Sequence, residues 1–279
     1  MQFIALFCFL LASLSAVAAD TDKKAEDLVA QHLDSIAPAD ARAALKSLAA
    51  QGTLRFKVLV GGGGETPGTW QRLTEQRKSK FVMKFGDNKW WGEQFVFDGD
   101  KVSFASATLS HQLSDFGAFV ASQDGIVKEG LLGGELGGAW ALQSIDHSRV
   151  LLDYIGRKKV DGRELDEIDY VSKGTGDIKV KLYFEPETHH HVMTMYSVQR
   201  TPIIAHDPVA NARQKQLIYS LVERFSDFQT DKGFTLPRQY GLRFSEELQN
   251  GNTIVYDWTM AADKVIVNPN IDPANFREK

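Results

Sequence analysis

Residues 149–199, RVLLDYIGRKKVDGRELDEIDYVSKGTGDIKVKLYFEPETHHHVMTMYSVQ, constrain the fold more than any other stretch of the chain. Ile178, Val180, Leu182 and Phe184 alternate with Lys179, Lys181 and Tyr183, the period-two pattern of a half-buried strand. Turn signals separate the alternating runs. Asp161-Gly162 is a hairpin dipeptide, Lys173-Gly174-Thr175-Gly176-Asp177 is a looser turn, and Pro186 presets φ for a turn over Glu185-Pro186-Glu187-Thr188. Four antiparallel strands in a row are expected. Such a meander has one apolar face, and that face must lie against something.

The same reading extends to both sides. Leu54, Phe56, Val58 and Val60 alternate from Thr53, and strands follow over Thr69–Gln76, Ser79–Phe85, Phe95–Phe97 and Lys101–Ser106. Leu217–Thr230 reads as a long bent strand, with a second meander over Gly233–Ser245 and Asn252–Ala261. Arg200–Gln214, with Pro202 and Pro208, reads as an irregular crossover. Two helices are expected ahead of the strands. The first, from Asp20 to Ala37, carries Leu28, Val29, His32, Leu33 and Ile36 on one face; the second, from Pro38 to Gly52, carries Ala41, Ala44, Leu45 and Leu48. The fold class is therefore mainly β: a single curved antiparallel sheet of about eleven strands with helices on one face.

Between Thr108 and Ile145 the alternation stops. Phe116, Gly117, Phe119 and Val120 fit a short amphipathic helix capped by Ser110 or Ser114. Gly130-Leu131-Leu132-Gly133-Gly134-Glu135-Leu136-Gly137-Gly138-Ala139-Trp140 is too glycine-rich for a rigid helix; it reads either as a linker between two half-sheets or, more sharply, as a greasy, mobile plug that lies against the apolar sheet face and moves aside for a ligand.

Residues 1–19 read as a signal peptide. The apolar run from Phe3 to Leu14 is too short to span a bilayer, and Ser15-Ala16-Val17-Ala18-Ala19 supplies small residues for cleavage near Ala18 or Ala19. Residues 20–279 then form one domain. The single cysteine, Cys8, sits mid-way along the apolar run, which does not fit lipid anchoring, and the mature chain would hold no disulfide or thiol nucleophile. A periplasmic protein in a Gram-negative envelope, not lipid-anchored, is expected. The net charge of −4 argues against a nucleic-acid partner.

The meander with Val160-Asp161-Gly162-Arg163 and Tyr183-Phe184-Glu185-Pro186-Glu187-Thr188, and the tail Val267-Asn268-Pro269-Asn270-Ile271-Asp272, resemble the outer-membrane lipoprotein-sorting family, the LolA/LolB-like periplasmic proteins. The resemblance frames nearly all of the chain beyond residue 19. It implies a half-barrel whose concave apolar face is covered by helices and binds acyl chains of lipoproteins or other lipids. It further implies membrane-associated donor and acceptor proteins, only transient membrane contact, and no catalysis or cofactor. The glycine-rich 130–138 segment and the Arg200–Gln214 stretch are longer than a minimal carrier of this kind needs. Trp70, Phe81, Met83, Phe85, Phe95, Phe97, Phe104, Phe116, Phe119, Leu182, Phe184, Met193 and Met195 are the candidate cavity lining, being large and adaptable side chains on adjoining strands and the interrupting helix. Arg72, Arg77 and Lys80 are candidate head-group contacts. The competing class is an envelope protein-interaction or stress-sensing module that docks partners on the same sheet.

Other features carry less. Gly61-Gly62-Gly63-Gly64 lacks a following Lys-Ser or Lys-Thr and reads as a hairpin loop. His189-His190-His191 puts two imidazoles on one strand face, without further ligands at zinc spacing. Asp166, Glu167 and Asp169 read as cross-strand ion-pair partners of Arg157, Lys158, Lys159 and Arg163 rather than as a hydrolytic pair.

Overall fold

The computed structural model describes residues 22–60, 62–86, 92–106, 113–200, 216–248 and 251–277, so the signal-peptide reading and the 201–215 stretch lie outside the described residues. Helix α1 (22–36) and the short α2 (Ala39–Ala43) precede five strands: β1 (Ser47–Val60), β2 (Glu65–Glu75), β3 (Lys78–Phe85), β4 (Glu93–Phe97) and β5 (Val102–Ser106). An insert follows, with α3 (Asp115–Ser122), α4 (Gly125–Lys128) and 3-10 turns at Gly134–Gly137 and Ala141–Gln143. Seven strands complete the fold: β6 (Val150–Val160), β7 (Arg163–Ser172), β8 (Lys179–Phe184), β9 (His191–Arg200), β10 (Leu217–Asp231), β11 (Phe234–Glu247) and β12 (Thr253–Val267), with a last 3-10 turn at Pro273–Phe276.

The twelve strands among the described residues lie in one antiparallel sheet, in the order β5-β4-β3-β2-β1-β12-β11-β10-β9-β8-β7-β6. The first and last strands meet mid-sheet, from Leu48 opposite Val267 to Val60 opposite Val255. β5 and β6 are the two outer edges, so the insert must travel from one edge of the sheet to the other. The sheet is strongly rolled. Phe81 on β3 and Tyr240 on β11 are four strand spacings apart, about 19 Å if the sheet were flat. Their rings are 6.4 Å apart. Bulges in β1 and β6 and at the β8–β9 pairing help to bend it. One β1 bulge spans Gly52, where a Cβ would sit 1.9 Å from the Ala261 carbonyl oxygen of β12; only a glycine lets the two backbones come this close.

The expected four-strand meander is β6 to β9, and its first turn has Asp161 at φ 51° and Gly162 at φ 82°, the geometry that Asp-Gly favours. The expected second helix is corrected: it ends at Ala43, and the chain is already a strand at Ser47. Leu48 and Ala50 point into the core, and β1 is hydrogen-bonded by β2 on one side and β12 on the other. Ladders on both sides outweigh the weak helical preference of an Ala- and Leu-rich run. The strands on either side of the expected crossover, β9 and β10, are direct neighbours in the sheet.

The main core fills the inside of the roll. A second, small cluster of Leu73, Val96, Ile271 and Phe276 lies apart from it, where the C-terminal tail laps over the sheet. Asn268, at φ 52°, starts this tail: its Oδ1 accepts from the Lys46 N–H at 2.7 Å, its Nδ2 donates to the Ala44 carbonyl at 3.2 Å, and the Ser47 hydroxyl donates to the Pro269 carbonyl at 2.7 Å. The tail motif thus fastens the chain's end to the start of β1. Phe276→Ala should lower unfolding free energy by about 3 kcal/mol, since it empties a buried aromatic site. Urea denaturation checks this, with near-UV circular dichroism expected to show the main core intact.

Candidate functional site: a plugged apolar trough

The inner face of the roll is a continuous apolar trough built from both halves of the sheet. Eleven of the thirteen candidate lining residues meet there: Trp70, Phe81, Met83, Phe95, Phe97, Phe116, Phe119, Leu182 and Phe184 are buried in the main cluster, and Phe85 and Phe104 pack against it. Met193 and Met195 do not join them; they belong to a separate cluster with Leu165, Tyr183 and Val192. The cause is the bulge opposite Tyr183 and Phe184, which pair with Met193 and His191 and leave Val192 as an extra residue. One added residue reverses which side chains face inward.

The insert fills the trough. Leu131, Leu132, Leu136 and Trp140 are 0 to 2% exposed. The 130–138 stretch is therefore a packed segment in this structure, and its glycines serve close approach. Gly133, at φ 88°, lies so near Arg72 that a Cβ would come within 2.1 Å of Nη1. A side chain there would displace the guanidinium.

Discrete polar contacts hold the insert against the sheet. At its start, Ser114 caps α3 and accepts from the Gly117 N–H at 3.1 Å, while its own N–H and hydroxyl donate to the Glu93 carboxyl at the head of β4. Burial pushes the Glu93 carboxyl up to about 7 against the pull of these donors. In the middle, the Gly133 N–H donates to Glu223 at 2.7 Å, and the Arg72 Nη2 donates to the Leu132 carbonyl. Glu223 also accepts from the hydroxyls of Tyr196, at 2.6 Å, and Tyr240. Burial raises the Glu223 carboxyl in spite of these donors and of Arg72 nearby, and it raises both tyrosines well above their usual range.

The end of the insert meets α1. The Trp140 indole N–H donates to His32 Nε2 at 2.9 Å, and the Trp140 ring stacks on His191, with centroids 4.9 Å apart. Glu135 lies 3.4 Å from His191 Nδ1 and 3.7 Å from His32 Nε2. Burial acts to raise the Glu135 carboxyl, but His191 and His32 prevail and hold it below the ordinary range. Burial lowers His32 to about 4, opposed by Glu135.

The basic candidates divide. Arg72 and Arg77 line one cavity of about 800 Å³ at an end of the trough. Lys80 lines a different, polar cavity of about 510 Å³ with Gln51, Gln71, Lys84 and Gln94. The histidine run also divides. His191 is buried between Glu135 and Thr194, His190 stacks on Phe228 with centroids 4.2 Å apart, and His189 turns at φ 56° with its carbonyl on His32. Among the described residues no group of three His, Cys, Asp or Glu side chains is placed to hold a metal. Of the carboxylates, Asp166 faces Arg157 as expected, whereas Glu167 and Asp169 pair with Lys181 on β8 and Arg163 pairs with Glu185.

Sequence reasoning missed His32, Glu135, Tyr196, Glu223 and Tyr240. Glu223 had a usable signal: it occupies an inward position between Leu221 and Phe225 in an alternating strand, where a carboxylate must have partners.

No protein-family model matches the chain, and no curated protein matches it. Solved structures do. A DUF1329 family protein from Desulfovibrio piger is 10% identical, with TM-score 0.48, over 92% of this chain and 97% of that one. A LolA superfamily protein from Nitrosomonas europaea is 10% identical, with TM-score 0.44, over 91% and 97%. An outer membrane lipoprotein-sorting protein domain from Vibrio parahaemolyticus is 8% identical, with TM-score 0.46, over 91% and 97%.

The two buried anchors have opposite pH signatures. His32 titrates lower in the folded protein than in the unfolded chain, so its contribution to stability is present above pH 6.5 and is lost as pH falls toward 4. Glu93 titrates higher when folded, so its contribution is complete below pH 4.5 and is lost as pH rises through 7. Relative to the parent, Glu93→Gln should therefore gain stability as pH rises from about 5 to about 7, and His32→Gln should lose it, each by on the order of 2–3 kcal/mol. Urea titrations of both variants at several pH values test the two signs.

Proposed function

We propose that this protein is a non-catalytic carrier in the periplasm that binds acyl chains of lipids or lipoproteins in the trough, with the insert giving way to the ligand. The observation that carries the reading is the nature of the trough's cover. The apolar face is continuous across both halves of the sheet, yet what fills it is an insert fastened by side-chain contacts, not by sheet pairing. Leu131, Leu132, Leu136 and Trp140 occupy space that acyl methylenes would fill with similar free energy, about 0.8 kcal/mol for each methylene buried. Exchange of one apolar filling for another permits both loading and release. The apolar N-terminal run and the resemblance of the turns and tail support export and an envelope role.

Native mass spectrometry of residues 20–279, purified from a bacterial envelope without detergent, tests this. Added mass matching a phospholipid, a fatty acid or an acylated peptide is expected. A bare polypeptide that also fails to bind a fluorescent fatty acid would sink the reading. It would favour a protein-docking module instead, for which Leu151 and Val171 are the feature to pursue: they are paired across the β6 edge and are 53% and 56% exposed.

Trp140 supplies a direct readout of the insert. Acyl-chain binding should move its indole from a 1% exposed site into a more polar one and shift tryptophan emission to the red. The shift should vanish in Trp140→Phe. A ligand that binds with no emission change in the parent would show that the insert stays in place.

A further inference from the structure

The cavity at the end of the trough holds charge for which a purely acyl ligand has no use. Its lining, about 800 Å³ in extent, carries the cations Arg72, Arg77, Lys128 and Arg149. Lys128 is engaged by Asp124 at 2.6 Å and Arg149 lies 3.7 Å from Glu129. The acids on the lining are occupied too: Glu129 also accepts the Tyr170 hydroxyl, and Asp146 accepts the N–H and hydroxyl of Ser148, while Asp100 stands exposed at the hairpin after β4.

Arg72 is different. It is 5% exposed, and its one hydrogen-bonded nitrogen is Nη2, on the Leu132 carbonyl. Nε and Nη1 are buried without a partner among the described residues. A guanidinium presents paired N–H donors suited to a carboxylate or phosphate, and leaving such donors buried and unmet costs more than an ordinary hydrogen bond returns. Arg77 stands exposed in the turn between β2 and β3, at the same cavity. Phe97, Val127 and Trp140 also line it, so the polar end runs into the apolar trough.

We infer that this cavity receives the oxyanion, carboxylate or phosphate, at the head of an acyl ligand, with Arg72 binding from the buried floor and Arg77 from the rim. The inference rests on the acyl-carrier reading and narrows it: the preferred cargo is an anionic lipid. Arg72 releases the Leu132 carbonyl as the insert yields and turns its donors to the head group, so loading the ligand and freeing the insert become one event.

Calorimetric titration of delipidated protein with palmitate, methyl palmitate and inorganic phosphate tests this, with Arg77→Ala as the principal variant, because Arg77 is exposed and its loss leaves the core intact. Arg72→Gln is the second variant, read only after its folding is verified. Palmitate should bind at least about ten-fold more tightly than its uncharged ester, as expected for a charge-assisted paired contact, and Arg77→Ala should cut that preference to about three-fold or less. Equal binding of acid and ester, or an unchanged preference in Arg77→Ala, overturns the inference and leaves the acyl-carrier reading standing. Phosphate binding that Arg77→Ala weakens, without binding of either lipid, supports the oxyanion site and assigns it to a free anion, while overturning the carrier reading. Binding of none of the three overturns both.

Discussion

The rest of the structure depends on one topological constraint: β5 and β6 are consecutive in sequence but occupy opposite edges of a twelve-strand sheet. The chain between them has to cross a face. The inner face is the one that needs covering, because it is apolar along its whole width, and the outer face carries only small separate clusters. The insert is therefore required by the strand order as well as by the hydrophobic effect. The same topology places the β1–β12 pairing at mid-sheet, so the two halves of the chain share one trough and neither half encloses it alone.

A segment that must cross a trough but is not part of any ladder has to be positioned by other means. Apolar contact alone is non-directional and would tolerate many placements. The buried polar contacts select one. Glu223 offers an acceptor that the Gly133 N–H can reach, Arg72 offers a donor to the adjacent Leu132 carbonyl, and His32 offers an acceptor to Trp140. Burying these charges works against stability, as the raised Glu223 carboxyl and the lowered Arg72 guanidinium both reflect. Polar anchoring of this kind fixes a unique seat yet adds little net holding energy, which suits the displaceable cover that the proposed carrier function requires.

Much of this was legible in the residues. Alternation and turn dipeptides located nearly every strand, because both signals are local: Asp161-Gly162 needs only its own φ angles, and Ile178 to Phe184 need only one wet and one dry face. The inward set on β2 to β5 followed from the same period. What failed was non-local. Leu48 became a strand residue because two partner strands distant in sequence bond to β1, and Met193 and Met195 turned outward because a bulge reversed the phase of β9. A bulge changes one hydrogen-bond pair and leaves no mark in composition, so alternation read straight through it.

The polar interior illustrates a deeper limit. Arg72 read from sequence belongs with Arg77 and Lys80 as one basic group near a strand end, but the three reach three environments: a buried floor, an exposed rim and a separate cavity. The pleat sends Arg72 inward beside Phe81 and Lys80 outward beside Leu73, and Arg77 lies in the turn beyond both strands; curvature then decides what Arg72 meets. On a flat sheet Arg72 of β2 would lie four spacings from Glu223 of β10, roughly 19 Å away, and the two would not share a field. In the roll Glu223, Tyr196 and Tyr240 all act on the Arg72 charge. The chemistry of the trough is thus a product of its bending: rolling the sheet gathers scattered inward polar residues around the insert, and so creates a polar seat inside an apolar channel.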